Sequence, residues 1–178
     1  MRQRFLSALL TIALSLVLFC SCSSKQAQQS AGNSLDAYLG DYSYSENAVC
    51  MVYEPVEDEV DENGNPYYGI QYREITDLNG LLISGNTLVI YFYSSMDTRG
   101  AEITAAVEDL AQYYDGKLHV IMLDSIEHRD LVEKYDINAV PEFVLIRAGM
   151  PDQTFGSALY DYWTMNDVVL WLQDNGIS

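Results

Sequence analysis

Two nearly unbroken apolar runs constrain this chain more than any other feature. "TLVIYFY" spans Thr87–Tyr93 and "KLHVIMLD" spans Lys117–Asp124. A strand buried on both faces reads this way, because neither side of its pleat meets water. Between them, in Gly100–Tyr114, the apolar residues Ile103, Val107, Leu110, Ala111 and Tyr114 fall on a single helical stripe. Beyond them, "HRDLVEKYD" reads as a short helix that can turn Leu131, Val132 and Tyr135 inward. "INAVPEFVLIRAG" carries Pro141 directly before a strand, and "AGMPDQT" turns into a last strand, "TFGSAL". Thr164 with Asp167 three residues later has the form of a capping box, and Asn175-Gly176 suits the end of that final helix. The order from Thr87 is therefore β-α-β-α-β-β-α.

Upstream, two β-rich runs near Ala48–Tyr53 and Tyr67–Ile75 flank an acidic stretch holding Asn63-Gly64. Asn-Gly tolerates positive φ and favours a tight hairpin turn. The acidic residues Glu57, Asp58, Glu59, Asp61 and Glu62 lack the alternating oxygen spacing and terminal Glu of a calcium loop, so a solvated loop and no metal are expected there. "DLNG" (Asp77–Gly80) reads as a turn.

The N-terminus follows a different logic. "MRQR" is a basic leader to "FLSALLTIALSLVLF", a run of 15 apolar or small residues. A membrane span needs ~20 apolar residues, so this run reads as an export signal. It ends in "LFCSCSSK", which resembles a bacterial lipoprotein cleavage box, with the small Ser21 before Cys22. That implies cleavage before Cys22 and lipid on Cys22, with ordinary secretion without lipid as the alternative. "SSKQAQQSAGNS" has the small, polar composition of a flexible tether. The expected organisation is a signal over 1–21, a tether over 22–40, a β extension over 41–86 and a domain over 87–178.

Charge and cysteine content narrow the function. The formal charge of −17 would lose two cations, Arg2 and Arg4, on cleavage and become −19. Such a surface excludes nucleic acid and electrostatic docking on anionic lipid. With Cys20 removed and Cys22 lipidated, Cys50 is the one remaining thiol, so no intramolecular disulfide is expected. Cys50 within "NAVCMVY" reads as a buried small hydrophobe, with a sensing or intermolecular thiol as the alternative.

The element order, with proline before the third strand, resembles the thioredoxin fold over about Thr87–Ile177. The resemblance implies a three-layer α/β/α sandwich with a mixed central sheet, here carrying an N-terminal β-hairpin extension. The family's chemistry sits in a Trp-Cys-x-x-Cys turn after the first of these strands. Aligned on it, Met96 stands at the tryptophan, Asp97 and Gly100 at the cysteines, and Thr98 and Arg99 between them. The family's buried acid falls at Tyr91. No cysteine occurs between Met51 and Ser178. A helix start lowers a thiol's pKa and makes it reactive, whereas a carboxylate there can only cap N–H groups.

The resemblance also implies a cis bond before Pro141, with Val140 offering its backbone to an extended peptide. The expected function is thus a membrane-anchored, redox-inactive binding module without cofactor. It would dock an exported protein or peptide along Met96–Arg99 and Val140–Glu142, outside the cytoplasm. The alternatives are thiol exchange through Cys50 and a structural role in envelope assembly through "YDYW" (Tyr160–Trp163).

Overall fold

The computed structural model describes residues 34–43, 48–96 and 100–178, with the backbone alone at Gly100 and Ala101. The expected signal and lipidation site at Cys22 lie outside the described residues. A 3-10 turn at Leu35–Ala37 leads into β1 (Leu39–Tyr42), β2 (Ala48–Val60), β3 (Pro66–Ile75) and α1 (Leu78–Leu82). Then come β4 (Leu88–Tyr93), α2 (Gly100–Tyr113), β5 (His119–Asp124), α3 (Arg129–Lys134), β6 (Glu142–Ile146), β7 (Gln153–Gly156) and α4 (Met165–Asp174).

The strands form one sheet in the order β1-β3-β2-β5-β4-β6-β7. β4 and β5 run parallel, joined through α2, and the other neighbours are antiparallel. Strand alternation separates two cores. Leu88, Ile90 and Phe92 of β4 pack with Leu81 of α1 and Leu131 of α3. Val89 and Tyr91 pack with Val107 and Leu110 of α2 and Val168 and Leu172 of α4. The apolar run of β4 is explained by this position, since helices cover both of its faces. At the end of α4, Ile177 N–H donates to Leu172 O and Gly176 N–H to Gln173 O, the Schellman pattern expected from Asn-Gly.

The structure corrects four expectations. "DLNG" is not a turn but the start of α1, where the Asp77 carboxylate accepts the Gly80 N–H at 2.8 Å. Aspartate serves turns and helix caps through the same side-chain geometry, so the two read alike. The acidic stretch is not a loop throughout. β2 continues to Val60, and five residues, Asp61–Asn65, reverse the chain before Val60 pairs with Pro66. Carboxylates project freely from a ribbon in water, and Asp58, at φ 61°, marks an irregularity in the strand.

Residues 35–40, placed in the expected tether, also belong to the fold. Tyr38 and Leu39 are buried, and Arg73 holds this segment through Asp36 (2.9 Å) and Gly40 O (3.0 Å). Finally, the last strand stops at Gly156, where Leu159 and Tyr160 N–H both return to the Gly156 carbonyl. The N-terminal hairpin extends the central sheet. β2 pairs with β5 from Ala48↔Leu123 to Met51↔Val120, so it completes the same sheet.

Candidate partner-binding cleft

Antiparallel pairing of β4 with β6 sets the site. Phe92 near the C-terminal end of β4 lies opposite Glu142 at the N-terminal end of β6. The segment leaving β4 and the segment entering β6 therefore emerge side by side. The first runs through Ser94 and Ser95 to Met96, whose side chain is 83% exposed and whose N–H donates to Ser94 Oγ at 3.2 Å. Asp97, Thr98 and Arg99 lie outside the described residues, and α2 opens at Gly100. The second segment holds the cis peptide bond Val140–Pro141.

Pro141 is buried, and its carbonyl accepts the Ser157 N–H at 3.0 Å. That bond ties the β6 entry to the loop leaving β7. Glu142 adds a second tie, accepting the Ala158 N–H at 3.0 Å. Burial pushes the Glu142 carboxyl above its usual range, and the Ala158 hydrogen bond partly offsets this. Gly156 lies beneath both. At its φ of +148° a side chain would be strained, and a Cβ would come within 2.6 Å of Pro141 O and 2.7 Å of Glu142 Oε2.

On the α2/α4 side, the β6 entry and the loop leaving β7 border, with the first turns of α2, a cleft of about 350 Å³. Pro141, Ile103, Trp163 and Met165 supply its apolar walls, while Glu102 and Asp161 bring carboxylates. Trp163 stands edge-on to Phe143 (5.7 Å) and Phe155 (6.1 Å), and its Nε1–H donates to Ser157 Oγ at 3.3 Å. The ring is thereby fixed as a wall. Its neighbour Tyr162 is 95% exposed at the rim. An apolar cleft with fixed aromatic walls and a few polar groups is suited to holding a side chain or short peptide.

The site residues expected from sequence divide accordingly. Pro141 lines the cleft and Met96 is exposed on the adjoining segment. Glu142, expected to face a partner, turns away from it. Alternation along β6 sends Phe143 to Trp163 and the cleft side, and Glu142 to the opposite face, where it is 1% exposed. Val140 is half-buried against the α1/α3 core. Cys50 is fully buried on that same core, and burial pushes its thiol up to about 12. Tyr91 is buried and stacked between Tyr93 and Phe143. Burial and the nearby Asp124 raise the Tyr93 phenol.

Sequence reasoning did not gather Ile103, Ser157 and Trp163 into one place. In the sequence Ile103 falls on the apolar stripe of α2 and Trp163 in the Tyr-rich "YDYW" segment, and neither signals a shared wall. Among the described residues there is no cluster of three or more His, Cys, Asp or Glu able to hold a metal, and no helix long and apolar enough to cross a membrane.

Residues 76–162, just under half of the chain, match the family model Thioredoxin. The fold is thioredoxin-like. The match starts at the lead-in to α1 and stops one residue before Trp163, so it takes in the Pro141 loop and most of the cleft. Thioredoxin-T of Drosophila melanogaster is 26% identical over 82 residues, 46% of this chain and 52% of that protein. The chain thus spans about half the length of this relative. Among solved structures, oxidised mitochondrial Thioredoxin 3 of Saccharomyces cerevisiae is 24% identical, with a TM-score of 0.41, covering 47% of this chain and 82% of that one. The J-Trx1 fragment of ERdj5 is 20% identical, with a TM-score of 0.46, covering 57% and 49%.

Proposed function

We propose that this chain is a membrane-anchored, thioredoxin-like binding module that has kept the family's peptide-docking cleft and lost its thiol chemistry. One observation carries the reading. A formed cleft lies against the cis Val140–Pro141 loop, in a sequence with no cysteine beyond Cys50. An exported protein or peptide would lie across the cleft, packing on Trp163 and Ile103 and passing Met96. Thiol exchange through Cys50 is disfavoured by its complete burial, because exchange requires an accessible thiolate.

The test is site-specific photocrosslinking in the native envelope, with a photoreactive residue at Tyr162. A discrete adduct is expected, and Ile103→Lys should reduce its yield at least about tenfold by placing a charge in an apolar wall. An adduct equally strong in the Ile103→Lys protein would remove the cleft from the reading. Anchoring has its own test. Cys22→Ala should abolish metabolic labelling with a fatty acid and release the protein from the membrane fraction. Labelling that persists in this variant would overturn the assignment of Cys22.

A further inference from the structure

The cleft at Pro141 does not close at its ends. Toward α2 and α4 it shares Ala106 and Met165 with a second depression of about 330 Å³, which reaches Tyr113. In the other direction it shares Tyr162 and Trp163 with a third of about 330 Å³, which reaches Trp171. Shared lining residues join the three into one band with sites for several side chains rather than one.

The chemistry of this band is one-sided. Its aromatic members are Tyr113, Tyr162, Trp163 and Trp171, among others. Its carboxylates are Glu102, Asp109, Asp161, Asp167 and Asp174, of which Asp167 is already engaged by the Thr164 N–H and hydroxyl. No lysine or arginine lines it. Four of the described cations are engaged elsewhere, Arg129 by donating to Ile126 O at 3.3 Å. Arg73 pairs with Asp36, Arg147 donates to Asn175 O, and Lys134 lies over Tyr135. Arg99 lies outside the described residues.

Aromatic faces beside carboxylates form a surface that takes up a guanidinium or ammonium group twice over, through the ring and through the charge. We propose that the band binds an extended cationic segment of a partner protein, with arginine or lysine side chains set over Tyr113, Tyr162 and Trp163 and paired with Glu102, Asp109 and Asp161. This rests on the binding role proposed for the Pro141 cleft and gives that role a ligand class. The formal charge of −17 disfavours a second copy of the chain as occupant, because carboxylates would be set against carboxylates.

The experiment uses the full chain in neutral detergent and fluorescein-labelled nonapeptides of three Gly-Leu-Xaa repeats. Xaa is arginine, its uncharged analogue citrulline, or glutamate. Fluorescence anisotropy should show the arginine peptide binding at least about tenfold tighter than the citrulline peptide, with the margin shrinking as salt is raised. The E102Q/D161N protein should lose most of that margin. Neutralising Glu57, Glu59 and Glu62 on the hairpin should leave the margin intact.

Equal affinity for the arginine and citrulline peptides would overturn the cationic assignment and leave the cleft reading standing. Failure of all three peptides to bind would overturn both. A margin lost in the hairpin variant and kept in E102Q/D161N would move the cation to the hairpin and refute the band. Dimerisation that competes with the arginine peptide would assign the band to a second copy.

Discussion

At the tip of the β2–β3 hairpin, Asp61 lies in water and gathers three donors: the Asn63 N–H at 2.8 Å, the Asn65 N–H at 2.9 Å and Asn65 Nδ2 at 3.0 Å. At the start of β6, Glu142 lies out of water and accepts the Ala158 N–H. Both carboxylates organise a turn, with opposite electrostatics. Hydrogen bonding holds the Asp61 carboxyl below its usual range, so its turn favours the charged form. Burial holds Glu142 above its usual range, so its loop disfavours that form. An exposed turn can recruit a charge without desolvating it, whereas a loop at the wall of a cleft must bear that cost. The hairpin tip should therefore tolerate change, and the β6–β7 corner should not.

Gly156→Ala attacks that difference most directly. The added Cβ meets the Pro141 carbonyl and the Glu142 carboxylate, and the backbone there disfavours any side chain. Strain and overpacking together should cost about 2–4 kcal/mol. Urea unfolding should report this as a lower midpoint with an unchanged slope. Gly64→Ala at the hairpin tip is the control. Its φ is also positive, at +82°, but a Cβ there has nothing within 4 Å. Its loss should be about 1 kcal/mol, from conformation alone. Equal losses at the two positions would erase the contrast between the turns.

Glu142 itself provides the next test. Its folded-state pKa is raised, so the folded protein binds the proton more tightly than the unfolded chain does. Stability from this group is full below the ordinary carboxyl value of 4.5 and falls as pH rises toward the folded value. Glu142→Gln keeps an acceptor for the Ala158 N–H and removes the charge. It should match or exceed wild-type stability at pH 7, and lose that advantage below about pH 4. Glu142→Ala lacks the acceptor and should cost about 1–3 kcal/mol at pH 7. A Glu142→Gln protein clearly weaker than wild type at pH 7 would mean that the ionised carboxylate is what the corner requires.

These residues also mark where local reading stops. β4 was legible because an apolar run on a doubly covered strand has no other explanation, and α4 because Thr164, Asp167, Asn175 and Gly176 signal its ends within one short stretch. The cleft was not legible in the same way. Ile103, Pro141 and Trp163 belong to three elements, and each has a local explanation as core, turn or loop aromatic. The face that Glu142 takes is hidden for a related reason. Its position beside Pro141 is visible in the chain, but the face it takes depends on Phe143 claiming the opposite one against Trp163. Gly156 did carry a signal, since a lone glycine inside a strand pattern indicates close backbone approach. The acidic hairpin misleads in another direction, because its charges suggest a loop whereas the pairing of β2 with β3 needs only backbone groups.

The smallest effect belongs to Asp61. Its folded-state pKa is lowered by the Asn65 and Asn63 hydrogen bonds, so its contribution is present above the ordinary value of 3.8 and is lost as pH falls through the folded value. Asp61→Asn keeps an oxygen acceptor for the two backbone N–H groups and gives up the charge. Its destabilisation at pH 7 should be slight, smaller than that of Glu142→Ala, and should vanish in acid. The direction is opposite to Glu142→Gln, where removing the charge should be neutral or favourable at pH 7. Paired urea titrations of the two variants at pH 7 and pH 3 would therefore move apart at neutral pH and converge in acid. If both shifted the same way at pH 7, burial would not be what separates the two turns, and the cleft corner would be held by the charge of Glu142 rather than by the shape of its side chain.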